Sequence, residues 1–514
     1  MNKSKGITIS ILFMIFFGIF SKSLGLFREV FIASKFGSGY QTDTFFLAIA
    51  GVGLFTSMLT LSINTSIIPI LTDIESKEGK DKKNYHINNF LNIIIILSIL
   101  IAIIAWILSP YIIKVMGAGF SEEQYKLAVT LMRIGTPGIV FASIIGIFRG
   151  YIQNNNMFIE SSTSELPYNI TFLIYLMFFT GYYGIYGLMI TSVLAIASQF
   201  FLQIKSLRTI NYKYNFTINF KDKYFIKFLY LVGPILISVS INDLNKIVDR
   251  ALASGLVEGS ISALNYSARV NSLVLAILIT AISTVLFPVL TKSALSNDKT
   301  DFKKLIINGT NVILILIIPI TIVTIILSEN ITSVLYERGE FTSKDNYMTS
   351  NSLIFYTIGL IGMALRTYYE KAFFALHDTR TPMISGIVTV LLNILLNIVL
   401  IGSMKYKGLA LATSISTLLT TIYLFYGLRK KVGKIEVREI FICLFKTSIS
   451  SLIMGIIVYL YKIFIMRYSV NFIYNIISLL GIGIVALIVY IVVLYLMKSK
   501  ELKYFSTLLK NKRL

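Results

Sequence analysis

The stretch Ser21-Lys22-Ser23-Leu24-Gly25-Leu26-Phe27-Arg28-Glu29-Val30 follows the apolar run ITISILFMIFFGIF with no turn residue between them. At 100° per residue, Ser21, Lys22, Gly25, Arg28, Glu29 and Ala33 fall on one arc of about 140°, opposite Leu24, Phe27, Val30 and Phe31. A later span repeats the pattern: Asn242, Asp243, Lys246, Asp249 and Arg250 share a face, and Arg269 stands in the span after it. A charge at the centre of a bilayer costs about 2.5–3.5 kcal/mol on the insertion scale, so such stripes face protein or water. Arginine and lysine recognise phosphate-type anions. Lys22, Arg28 and Arg269 are therefore candidate ligands for an anionic substrate, with Glu29, Lys246 and Arg250 as supporting charges. The competing reading is that the cations pair with Glu29, Asp43, Asp249, Glu165 and Glu370, or snorkel to an interface. Arg149 and Lys371, near helix ends, suit that reading better.

A second constellation suits a cation. Asn393 and Asn397, in LLNILLN, lie one turn apart. With Thr413 and Asp249 they would complete a small oxygen cage, although hydrogen bonding between helices explains the same residues. Catalysis has little support. The only histidines, His86 and His377, fall in expected loops without metal-spaced partners and read as solvated. No phosphate-binding G-x-x-x-x-G-K-[ST] loop exists, so the chain reads as no enzyme, with no cofactor beyond a candidate sodium ion. Cys443, the single cysteine, reads as a small buried hydrophobe.

The elements that must carry these residues are membrane helices. The 514 residues are 55% hydrophobic and only 14% charged, with a mean hydropathy of +0.77. About fourteen apolar runs reach the ~20 residues that cross a bilayer as helix, and none alternates as a barrel strand would. Lysine-rich loops near 77–83, 205–223, 292–304 and 429–434, and the basic tail, all fall on the side of the N-terminus. The positive-inside rule places both termini in the cytoplasm. The net charge of +22 then reflects topology and attraction to anionic membrane lipids rather than nucleic acid.

A weak repeat relates ASKFGSG at 33–39 to ASGLVEG at 253–259, and TSIIPIL at 65–71 to TVLFPVL at 284–290. An even number of helices separates the copies, as in parallel repeats with a substrate site between two bundles. The expected fold is an all-α polytopic membrane protein of two pseudo-symmetric six-helix bundles, 1–210 and 221–430, followed by two extra helices and a basic tail over 431–514.

SKSLGLFREVFIASKFGSGYQTDTFF resembles the first-helix signature of the MurJ/MviN family of lipid II flippases. ISALNYSARV at 261–270, VLYERGEFT at 334–342, FFALHDTRTP at 373–382 and GLALATSIS at 408–416 extend the resemblance over spans one to twelve. The resemblance implies an alternating-access carrier with a cationic cavity at Lys22, Arg28 and Arg269, joined by Asp43 after the glycine loop. It also implies a groove for a polyprenyl tail on the last two helices, and a sodium site at Asp249, Asn393, Asn397 and Thr413. Where the family carries arginines in span two, this chain has Thr56 and Ser57. Lys22 stands for an arginine, and Ala268 and Asn397 stand where acids are common.

The function implied is movement of an undecaprenyl-pyrophosphate-linked cell-wall precursor, lipid II, from the cytoplasmic to the outer leaflet of a bacterial plasma membrane for peptidoglycan synthesis. Its partners would be that anionic lipid-linked saccharide, membrane lipids and cell-wall synthesis proteins, around a monomeric carrier. A flippase for another polyprenyl-linked oligosaccharide is the alternative. A cation-coupled drug exporter fits the basic surplus poorly, and a glycosyltransferase lacks an acidic metal pair on a long loop.

Overall fold

A computed structural model describes residues 3–499 except 158–162, 164, 282–285, 296–297 and 466–471; the side chains of 3–15, 81, 234, 237–244 and 279–281 also lie outside the described set. The start of the TVLFPVL repeat and most of the basic tail fall outside it. Every regular element among the described residues is helical. In hydrocarbon a backbone must satisfy its own polar groups, and the long Ile, Leu and Phe runs do so as helix.

The chain forms two compact units, residues 1–262 with 338–341, and residues 263–337 with 342–514. The first contains α1 (Lys3–Phe36), α2 (Tyr40–Met116), α3 (Glu122–Gly135), α4 (Gly138–Asn154), α5 (Glu165–Phe178), α6 (Thr180–Thr209) and α7 (Lys223–Ser254). α8 (Ser260–Ala281) begins at its end and continues in the second unit. There follow α9 (Phe287–Ala294), α10 (Thr300–Ile326), α11 (Ser328–Tyr336), α12 (Ser343–Ile358), α13 (Leu360–Ala375), α14 (Arg380–Met404), α15 (Tyr406–Val432), α16 (Val437–Phe464) and α17 (Phe472–Leu496).

Among the described residues, ten helices are long and apolar enough to span a membrane, and eleven if α12 and α13, bent by 43°, form one span. The chain is thus an all-α polytopic membrane protein. The runs expected at 43–70 and 89–113 join in α2, which breaks at Gly79 with φ 85°, a conformation glycine adopts without a Cβ clash. The run expected at 125–152 divides between α3 and α4 at Thr136-Pro137, where proline removes a helical donor. Ser121 starts α3 with a reciprocal capping box to Gln124.

In the first unit α2 packs against α3, α4 and α7, while α5 joins α1 to α6. Phe90 on α2 stacks on Phe228 of α7 with ring centroids 5.5 Å apart. In the second unit α15 packs against α12, α13 and α14, and α10 joins α13 to α16. Leu391, Leu395, Ile398 and Val399 on α14 stay exposed, as lipid-facing residues do.

His86 departs from the solvated reading. It is buried, with Nδ1 2.6 Å from Asp222 and Nε2 3.2 Å from Glu78. α2 continues through the expected loop, and the chain before α7 lies against it. His377 is exposed in the turn before α14. Cys443 is buried against the Asn311 carbonyl and Thr447.

Candidate functional site

α1 is helical straight through Lys22, Arg28 and Glu29, so the stripe seen in the sequence is a real face. α5 meets that face. Arg28 Nη2 donates to Glu29 Oε1 at 2.7 Å, and Nη1 donates to Asn169 Oδ1 at 3.4 Å. The guanidinium lies over the rings of Tyr168 and Phe172, 5.3 and 5.1 Å from their centroids, a cation–π arrangement. Asn169 also donates to the Ser21 carbonyl at 3.2 Å, so it ties α5 to α1 one turn either side of Gly25.

Glu165, at the start of α5, lies 4.0 Å from Lys22 and 3.9 Å from Arg149 of α4. The cluster holds three cations against two carboxylates. Its members differ in access: the Lys22 side chain is 53% exposed and that of Arg28 only 11%. Lys22 is therefore an accessible charge beside a buried one. Arg28 has five N–H donors in a planar fork, and two acceptors take them among the described residues. The remaining donors suit an oxyanion such as phosphate.

Asp43 is placed differently. Its Oδ1 accepts from Ser262 N and Oγ at 2.7 and 2.6 Å, and its Oδ2 accepts from Gly259 N at 2.7 Å. These include the unsatisfied N–H groups of the first turn of α8. Both carboxylate oxygens thus hold backbone. Gly259 has φ +89°, and a Cβ there would come 2.5 Å from the Ser38 carbonyl. Arg250 donates to the Phe46 carbonyl at 2.9 Å. Lys246 is exposed and Asp249 half-buried on α7; the side chains of Asn242 and Asp243 lie outside the described residues. Thr56 and Ser57 bond back to the Gly53 carbonyl, which quiets both hydroxyls.

In the second unit Arg269 is half-buried on α8. Asn393 donates to Thr413 Oγ1 at 3.1 Å, and Asn397 donates to Asn393 Oδ1 at 2.9 Å. Three residues of the expected ion cage therefore meet in one chain across α14 and α15. Arg366 is paired with Glu370 at 2.9 Å, as the pairing reading expected. An apolar cavity of about 430 Å³ between α10, α16 and α17 is lined by Leu316, Pro319, Met454, Leu487 and Tyr490.

Sequence reasoning missed Asn169, Tyr168 and Phe172 as partners of Arg28. The polar Asn in LPYNITFLIYLMF was the available signal.

The family model described as Lipid II flippase MurJ matches residues 32–480. A probable lipid II flippase MurJ of Buchnera aphidicola subsp. Schizaphis graminum is 30% identical over 501 residues, covering 96% of this chain and 97% of that protein. The Lipid II flippase MurJ of Thermosipho africanus is 31% identical over 448 residues, covering 86% and 88%. A solved structure of Lipid II flippase MurJ, in an inward closed conformation, superposes with a TM-score of 0.80 at 30% identity, over 94% of this chain and 98% of that one. A multidrug resistance MATE family transporter in an inward-facing conformation is similar in fold alone, with a TM-score of 0.65 at 10% identity, over 80% of this chain and 94% of that one. With the family model matched across most of its length, the chain belongs to the MurJ family of lipid II flippases.

Proposed function

We propose that this chain carries lipid II across the bacterial inner membrane for peptidoglycan synthesis, as a transporter and not an enzyme. The observation that carries this reading is the family match over residues 32–480. Arg28 is the main phosphate ligand, with its aromatic bed and spare donors. Lys22, Arg149 and Arg269 are the other cations offered to the pyrophosphate. The cavity between α10, α16 and α17 receives part of the polyprenyl tail. Transport runs by alternating access from the leaflet at the basic loops to the opposite one, with both termini cytoplasmic, in a monomer that hands its cargo to cell-wall synthesis proteins. A sodium ion bound by Asp249, Asn393, Asn397 and Thr413 couples to the cycle.

The test is replacement of the resident flippase in a depletable strain, scoring lipid II exposed at the outer face. Restored exposure by the wild type and its loss in Arg269→Ala are expected. Failure of the wild type, together with co-purification of a different lipid-linked saccharide in native mass spectrometry, would overturn the substrate. Stabilisation by sodium should weaken in Asn393→Ala; a melting temperature indifferent to sodium in the wild type removes the ion from the proposal.

A further inference from the structure

The first unit carries a second apolar groove with a cation at its mouth. One part, about 370 Å³, is lined by Leu91, Ile95, Phe148, Ile204 and Leu207. Another, about 530 Å³, is lined by Phe141, Leu194, Ala197 and Phe201. Both parts share Ile144 and Phe200, so they adjoin along α4 and α6. On α6, Leu194, Ala197, Phe201, Ile204 and Arg208 recur three or four residues apart, which sets them on one stripe. Arg208 ends that stripe in the last turn of the helix and lines the mouth. It is exposed, and among the described residues no carboxylate lies within ion-pair distance of it.

The chain beyond Arg208 adds a second observation. The non-helical stretch 212–219 is riveted to α2 by its main chain: Asn88, Asn92 and Asn89 donate to the carbonyls of Lys213, Thr217 and Asn219 at 2.9, 3.0 and 3.0 Å. The Tyr212 and Tyr214 hydroxyls add bonds to the Asn88 and Asn92 side-chain oxygens, the second at 2.9 Å, yet much of the aromatic surface stays outside. Tyr214, Phe216 and Phe220 are each more than half exposed, flanked by the exposed Lys213 and Lys221. Exposed aromatic rings flanked by lysines suit the headgroup layer of an anionic leaflet.

We propose that this groove is a binding site for an anionic phospholipid, with an acyl chain along α4 and α6 and the phosphate at Arg208 beside Tyr214. Charge complementarity selects the headgroup, and the mostly apolar walls take the chain. The site has a route to the transport machinery. Thr171 of α5 lines the groove, two residues from Asn169, so the two side chains point to opposite sides of one helix.

The test uses the full-length protein, exchanged into nanodiscs of equal phosphatidylglycerol and phosphatidylcholine, with retained lipid counted by native mass spectrometry. The wild type should retain phosphatidylglycerol in preference. Arg208→Gln, on an exposed side chain, should keep the melting temperature and lower that preference about fivefold. Ile204→Trp, which fills the groove without touching charge, should lower retention of both lipids. Equal retention of the two lipids by the wild type overturns the proposal. So does an unchanged preference in Arg208→Gln, or retention of added undecaprenyl phosphate in place of phospholipid. None of these outcomes depends on lipid II transport, so the site stands or falls separately from the flippase reading.

Discussion

Arg28 and Lys83 are both long cations nearly closed off from solvent in the first unit, and they are held in different ways. Lys83 donates to Glu75 at 2.6 Å, Asn154 at 2.9 Å and Asn155 at 3.4 Å, with the Tyr151 ring 5.6 Å away. An ammonium has three donors, and all three are taken. Arg28 has five donors, shares a carboxylate and an amide, and rests on two rings that ask for no proton. Lys83 is a staple between α2 and the end of α4. Arg28 is a charge stored with capacity to spare. The difference teaches that burial and pairing alone do not separate a structural cation from a ligand; the count of filled donors does.

The largest expected effect comes from Arg28→Lys. It keeps the charge and removes the fork, so lipid II exposure at the outer face should fall at least about tenfold, while the melting curve stays cooperative. Wild-type flipping by this variant would break the comparison at its stronger end. Lys83→Met should do the opposite. Lys83 is nearly closed off but Glu75 is 33% exposed, so the loss falls short of that for breaking a fully buried pair; the melting temperature should still drop, yet the protein that remains folded should transport at the normal rate per molecule. A Lys83→Met protein of normal stability but no transport would make Lys83 a ligand.

Asn169→Ala sharpens the picture of how Arg28 is aimed. It removes the bonds to Arg28 and to the Ser21 carbonyl, at a cost of about 1–3 kcal/mol. Transport should fall less than in Arg28→Lys. A loss equal to or greater than that of Arg28→Lys would give Asn169 its own contact with substrate.

The smallest effect is a third kind of charge, paired at a surface. Partial burial pushes the Asp378 carboxyl up, but the Lys431 ammonium and the Thr381 N–H and hydroxyl hold it at about 2, below the ordinary 3.8. A carboxyl lowered by folding stabilises the protein above its unfolded value and loses that contribution as pH falls through about 2. Asp378→Asn should therefore lower the melting temperature slightly at neutral pH, with the gap to wild type closing between about pH 4 and pH 2. A gap that persists at pH 2 would assign the difference to lost hydrogen bonds instead.

Much of the Arg28 site is legible in the sequence alone. The stripe on α1 follows from helical periodicity, and the cost of charge in lipid already required a protein or water neighbour. Asn169 was not legible, because it lies 141 residues from Arg28 and nothing in its own span marks which helix it meets. His86 was misread for a related reason. Lysines and asparagines around it look like an exposed loop, yet α2 stays helical there and the chain at Asp222 closes over it.

The sequence by itself determined that this is an all-α membrane protein, which residues share a helix face, and the family to which the face belongs, since hydropathy, period and motif are properties of local order along the chain. Only the tertiary structure decided what each charge meets. Asp43, read as a cavity acid, spends both oxygens on Gly259 and Ser262, and Asn393, Asn397 and Thr413 close into one hydrogen-bonded chain. A side chain's partner is set by the packing of helices far apart in sequence, and the competition among donors for each acceptor is settled only when those helices meet.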